Sequence, residues 1–146
     1  MLQQDYLVRM LTMFAEAIRR SLEKSRDRDP RGAAEMLEAA IGDATDIDGS
    51  VLLSLTPESI ASIMMVSGVD PRVTEYIARS LKLEATYLAD AGEAELAQLR
   101  SEQADAVAAA YGLGEIDIAF DELDGLDGSG GLDSIGDFGF LSDVEA

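Results

Sequence analysis

The sequence contains neither cysteine nor histidine among its 146 residues. Without cysteine the chain has no disulfides and no thiolate metal site, and without histidine it lacks the usual imidazole ligand and neutral-pH proton shuttle. Zinc sites and cysteine- or histidine-based catalysis are therefore excluded. We predict a protein that needs no cofactor and holds no metal ion.

Positive charge is also scarce, since 11 lysines and arginines stand against 29 acids and the formal net charge is −18. Such a chain repels phosphate backbones and anionic lipids, so we expect neither nucleic acid nor membrane as a partner. No segment approaches the roughly 18 uncharged apolar residues that span a bilayer. The N-terminus has no positive region ahead of an apolar run, so we expect a cytoplasmic location.

Proline occurs only three times, each time directly after a residue that caps helices well. Asp29-Pro30, Thr56-Pro57 and Asp70-Pro71 each combine an N-cap side chain with proline at the first helical position. Apolar residues recur at three- and four-residue steps, and no segment alternates as a strand does. The predicted fold is all-α, with about five helices near residues 3–24, 30–41, 57–66, 71–90 and 93–111.

The stretch Asp70–Gly112 predicts an antiparallel helical hairpin whose hinge is Gly92. The facing side chains are mainly alanine and leucine, which lets two helices approach closely. The predicted packed positions are Val73, Ile77, Leu81, Ala85 and Leu88 on the first helix and Leu96, Ala97, Ala104, Val107, Ala108 and Tyr111 on the second. The charged residues Arg79, Lys82, Glu84 and Asp90 are predicted to lie mostly off this line.

The chain between the second and third predicted helices is less regular. Gly42 is predicted to end the second helix, and Asp43–Ser50 is predicted to form a loop. Periodicity leaves Val51–Leu55 open between a turn of helix and an extended plug.

Two stretches, MLQQDYLVRM at residues 1–10 and LLSLTPE at residues 52–58, resemble an uncharacterised family of short bacterial helical proteins. The resemblance covers roughly residues 1–112, which we treat as one domain. It implies a helical fold and a bacterial setting, and it assigns no activity and no site residues.

The hairpin also resembles a tetratricopeptide unit. With Gly92 as the interhelix glycine, Ala85, Ala97 and Ala104 take the small positions and Leu88 a large apolar one. Ser101 departs from the expected aromatic, and the terminal proline is missing. A similar match places Ala34 in a first unit. The resemblance implies a tetratricopeptide-like, right-handed helical superhelix, although two degenerate units are fewer than a regular array needs.

Residues 113–146 form an acidic, glycine-rich tail with ten acids, no lysine or arginine, and seven of the 13 glycines. Its apolar residues exceed those of a purely solvating tail, so docking and mobility both stay open. Asp121, Asp124, Asp127 and Asp133 do not follow the spacing of a calcium-binding loop, because leucines occupy ligand positions and no glutamate closes the loop.

The base-rich end of the first helix is the candidate interaction surface. Its residues are Arg19, Arg20, Lys24 and Arg26, and we predict that Phe120, Phe138 and Phe140 of the tail supply apolar contacts to it. The tail is then a flap over this surface or, between chains, a strap in a homodimer. The alternative is a solvated helix end.

The acid pairs Glu93/Glu95 and Asp46/Asp48 suit helix ends better than catalysis, so we predict that the protein is not an enzyme. Two functions remain: a helical module that binds an unknown protein or peptide, and an acidic protein that occupies a basic surface as a nucleic-acid mimic does. The methionines Met10, Met13, Met36, Met64 and Met65 either line a partner groove or fill the core.

Overall fold

The computed structural model of the protein describes residues 2–114. Within this range the chain forms six helices and no strand, which confirms the all-α class. Their bounds are α1 Leu2–Arg26, α2 Pro30–Thr45, α3 Gly49–Leu52, α4 Pro57–Ser67, α5 Pro71–Asp90 and α6 Ala94–Tyr111. The helix beyond the predicted five is α3, so the open stretch after Ser50 begins as a turn of helix.

Three helices begin as the capping pattern predicts. The carboxylate of Asp29 accepts a hydrogen bond from the Gly32 N–H at 3.0 Å, and Asp70 accepts one from the Arg72 N–H at 2.8 Å. The hydroxyl of Thr56 caps α4 in the same way. In each case the following proline occupies the first helical turn, where a missing N–H costs nothing.

The predicted end of α2 at Gly42 is wrong. The helix continues to Thr45 and ends at Asp46, which adopts a left-handed conformation with φ of 60° and donates its N–H to the Gly42 carbonyl. A Cβ on Gly42 would lie 2.8 Å from the Gly49 nitrogen and 2.9 Å from the Ile47 carbonyl oxygen. Glycine is therefore required here for the close approach of the α2–α3 connection, not to stop the helix.

The helices pack around α5. The α5–α6 hairpin turns at Gly92, whose φ of 85° is the left-handed value predicted for the hinge. α2 and α1 pack against α5 from another side, α4 packs against α6, and α3 packs against α2. Near the end of α1, the hydroxyls of Ser21 and Tyr87 are 2.9 Å apart and connect α1 to α5 in the interior.

Two positions of the hairpin differ from the predicted faces. Glu84 was expected off the packed line, but it is 1% exposed because α5 is covered on more than one side. Leu96 was expected on the packed face, but it is 40% exposed. The buried stripe of α6 contains the predicted Ala97, Ala104, Val107 and Ala108 together with Arg100 and Gln103, and Leu96 lies beside it in the first turn.

Candidate functional site

The predicted basic surface is largely neutralised by neighbouring acids. Arg19 pairs with Glu16 and, at 3.0 Å, with Glu23. Arg20 also reaches Glu16 at 3.0 Å, and Lys24 lies 3.3 Å from a carboxylate oxygen of Asp29. The hydrogen bond from Arg19 is the main cause that lowers the pKa of Glu16. This end of α1 therefore presents alternating charges more than a positive patch.

The other half of the predicted surface belongs to the tail. Phe120, Phe138 and Phe140 lie outside the described residues, and so do the tail aspartates. The contact between the tail and the base-rich end of α1 therefore stays a prediction.

An apolar groove runs along the outside of the α1–α2 hairpin, and we call it the side groove. Its volume is about 520 Å³. Its apolar lining consists of Met10, Met13, Phe14, Ala17, Met36, Ala39, Ala40 and Ala44. Met13 is 55% exposed, so its large apolar side chain faces solvent at the side groove.

The structure shows which of the five methionines line a groove and which fill the core. Met10, Met13 and Met36 line the side groove, and Met64 is fully buried in the core. Met65 is 55% exposed at a different depression, which we call the end groove. The end groove, of about 850 Å³, lies between the start of α1, the end of α2, the α4–α5 loop and the end of α6, and it shares Met10 and Ala44 with the side groove.

The floor of the side groove is part of the packed core. Phe14 is 2% exposed and makes an edge-to-face contact with Tyr76 of α5, with ring centroids 6.0 Å apart. Leu11 and Leu37 lie fully buried in the same core. A groove whose base belongs to a packed core does not have to form when a ligand arrives.

The two flanks of the side groove differ in charge. On the α2 side, the groove shares Ala39 and Asp43 with an acidic depression of about 550 Å³. The acids that line this depression are Glu35, Glu38, Asp43, Asp46 and Asp48. On the α1 side lies the ion pair of Glu16 with Arg20. Glu35, Ala39 and Asp43 recur every four residues, a spacing that marks one exposed helix edge and that the sequence analysis missed.

A buried polar network was also missed by sequence reasoning. Arg100 donates to Glu84 at 2.7 Å, to the Leu53 carbonyl at 2.8 Å and to Gln103 at 3.2 Å, and its guanidinium lies 3.5 Å from Glu38. Gln103 donates to the Leu53 carbonyl as well, at 3.0 Å. The three- and four-residue spacing of Ala97, Arg100, Gln103 and Ala104 is the sequence signal that could have placed the two polar residues on the buried face of α6.

This network links α5 and α6 to the segment between α3 and α4, and its two charged side chains are buried. Glu84 is 1% exposed and Arg100 is 6% exposed. Burial raises the pKa of Glu84 to about 7 against the opposing effect of Arg100. Arg100 and Gln103 of α6 together donate to the Leu53 and Leu55 carbonyls, which lie between α3 and α4.

Among the acids weighed for catalysis, Glu93 makes an ion pair, and Asp46 and Asp48 lie at helix ends. Glu93 precedes α6 and lies 2.6 Å from Arg31. Asp48 caps α3 through the Ser50 and Val51 N–H groups, and its bonds to Ser50 lower its pKa. Asp46 is the residue that ends α2.

Known proteins supply no template for these grooves: no family model, curated protein or solved structure matches the chain. Over residues 2–114, no three metal-ligating side chains come together. Within the same range, every helix is too short or too polar to cross a membrane. The side groove is therefore the feature from which a function can be argued.

Proposed function

We propose that the protein is a non-catalytic interaction module that receives an amphipathic helix of a partner protein in the side groove. The observation that carries this proposal is the methionine-lined channel between α1 and α2, with Met13 exposed across it. Methionine is flexible and polarisable, which suits it to apolar partner surfaces of varied shape. Grooves of this kind bind helices through apolar anchors at three- and four-residue spacing.

The small residues beside the methionines support a helical occupant. Ala17 on α1 and Ala40 and Ala44 on α2 line the channel with short side chains. Small side chains allow the backbone of a third helix to come close to both others. The buried floor formed by Phe14 and its neighbours lowers the ordering cost of binding.

We also propose that α5 and α6 form a tetratricopeptide-like unit within a right-handed superhelix, as the resemblance of this hairpin to a tetratricopeptide unit implies. Gly92 at the turn supports this, as do Ala97 and Ala104 at 9% and 0% exposure. Leu88 is 6% exposed and Ala85 packs partly buried against the same core. Units of this type present helical surfaces to protein partners.

The proposal is tested with a helical peptide of about 18 residues, about 27 Å long, that carries leucines on one face and neutral flanks. Calorimetric titration of the full chain should give saturable binding. Met13→Glu should abolish it, because a carboxylate would enter the apolar channel. Met65→Glu is the matched control, since Met65 is equally exposed at 55% but lies at the end groove. Loss of binding in Met65→Glu alone would move the site to the end groove.

A second function, an acidic protein that occupies a basic surface, is favoured by the acidic depression and the net charge of −18. The salt dependence of binding distinguishes the two proposed functions. Binding through the groove should survive an increase from about 0.05 to about 0.5 M salt, whereas binding through net charge should fade as the Debye length shrinks.

A further inference from the structure

We infer that the helix received by the side groove is basic along one flank only, the flank that faces α2. This inference rests on the proposed function and names the chemistry of its partner. It follows from the difference in charge between the two sides of the groove.

The α2 side carries acids without partners. Glu35 and Asp43 are exposed, and neither makes an ion pair or a side-chain hydrogen bond within residues 2–114. Glu38, in the same depression, is different because Arg100 lies 3.5 Å from its carboxylate. The only base of α2 is Arg31 in its first turn, where it pairs with Glu93. Among the described residues, the negative charges of Glu35 and Asp43 therefore have no basic partner.

The α1 side is nearly neutral. The Glu16 carboxylate that borders the groove accepts from both Arg19 and Arg20. A partner lysine placed here would have to compete with two arginines that already hold the only acid. Basic residues of the partner are therefore favoured on the α2 side and gain nothing on the α1 side.

The geometry also sets the spacing of the partner's basic residues. Glu35 and Asp43 are eight residues apart on α2, which corresponds to about 12 Å along the helix axis. Ala39 lies between them on the same edge, so a helix that binds parallel to α2 passes Asp43, which lines the groove, and Glu35, which lines the adjoining depression. Lysines seven or eight residues apart on one flank of the partner match this separation.

The test compares three peptides with the same leucine face: one with neutral flanks, one with two lysines seven residues apart on one flank, and one with glutamates at those two positions. Because exposed ion pairs contribute modestly, the lysine peptide should bind about 3- to 30-fold more tightly than the neutral one, and the glutamate peptide more weakly. The full chain is used throughout.

The matched variants locate the acids that matter. Glu35→Lys combined with Asp43→Lys should remove the preference for lysine. Asp90→Lys combined with Glu102→Lys changes the net charge equally at exposed positions of α5 and α6, and should keep it. Circular dichroism confirms that both variants fold.

The outcomes of these titrations support or overturn the inference as follows. Equal binding of the neutral and lysine peptides would overturn it and leave the groove proposal standing. Equal losses in the two double variants would also overturn it, since they would indicate attraction to the total charge. Failure of every peptide to bind would overturn the inference together with the proposed function.

Discussion

Arg100 on α6 donates its Nε–H to Oε2 of Glu84 on α5 across 2.7 Å, while Oε1 of Glu84 has no hydrogen-bond partner among the described residues. The carboxylate is thus buried with half of its hydrogen-bonding capacity unused. Desolvation outweighs the attraction of Arg100, and the pKa of Glu84 rises to about 7. An ion pair of this kind gives specific geometry at a cost in stability.

Glu84 should make the protein less stable as the pH rises from about 4.5 to about 7. Its pKa is about 7 in the folded chain and near the ordinary 4.5 in the unfolded chain, so the folded state binds more protons in that window. The shift corresponds to about 3 kcal/mol. Glu84→Gln keeps an acceptor for Arg100 and should gain about this much relative to the wild type between pH 4.5 and pH 8, measured by urea unfolding.

The control for this experiment is Glu102→Gln, because Glu102 is exposed on α6. Its pH profile should follow that of the wild type. A constant difference between Glu84→Gln and the wild type across the range would show that Glu84 titrates normally.

Arg100→Ala should reduce the free energy of unfolding by about 3–5 kcal/mol at pH 8, because it leaves the Glu84 charge buried without its partner. The Leu53 carbonyl also loses one donor, although Gln103 still bonds it. Arg31→Ala is the comparison, since its pair with Glu93 is partly exposed and should contribute at most about 1 kcal/mol. Equal losses in the two variants would contradict a structural role for the buried network.

Gly92→Pro should prevent formation of the α5–α6 turn. The φ of Gly92 is 85°, a value that the proline ring cannot adopt, and its N–H donates to the Ala89 carbonyl at 3.0 Å. Gly92→Asn should be mild, because asparagine tolerates the left-handed region and a Cβ would meet nothing within 4 Å. Thermal unfolding followed by circular dichroism compares them, and similar melting temperatures would show that the turn does not depend on this conformation.

Leu81→Ala should cost about 2–5 kcal/mol, because Leu81 is fully buried at the centre of α5. Leu96→Ala on α6 should cost much less, since 40% of Leu96 is exposed. Chemical denaturation of both variants measures the difference. A loss below about 0.5 kcal/mol for Leu81→Ala, the range of surface sites, would mean that α5 packs through another face.

Local chemistry made the helix starts predictable. A cap side chain such as Asp70 bonds to an N–H two residues away, and Pro71 suits the next position whatever surrounds it. The turn at Gly92 depends on backbone conformation in the same local way. For this reason the all-α class, the helix order and most of the α5–α6 hairpin follow from the residues alone.

The side groove was only half predictable. The sequence placed methionines at helical spacing, but it left open whether they face a core or a channel. That choice depends on which faces of α1 and α2 the rest of the chain covers, and α5 covers Phe14 while it leaves Met13 exposed. Asp43 becomes part of a site only because it borders that uncovered groove, and Glu35 only because the depression that it lines adjoins the groove.

Only the tertiary structure decided which polar residues are interior. Gln103 bonds the Leu53 carbonyl across 50 residues of sequence, and Arg100 bonds the same carbonyl across 47. Gly42, likewise, is required by the approach of Gly49 and not by its own helix. The sequence by itself determined where α2, α4 and α5 begin and where the α5–α6 turn lies, because capping and turn conformation act within a few residues. Burial of Arg100 and Glu84 depends on chain segments that only packing brings together, so no local pattern contains it.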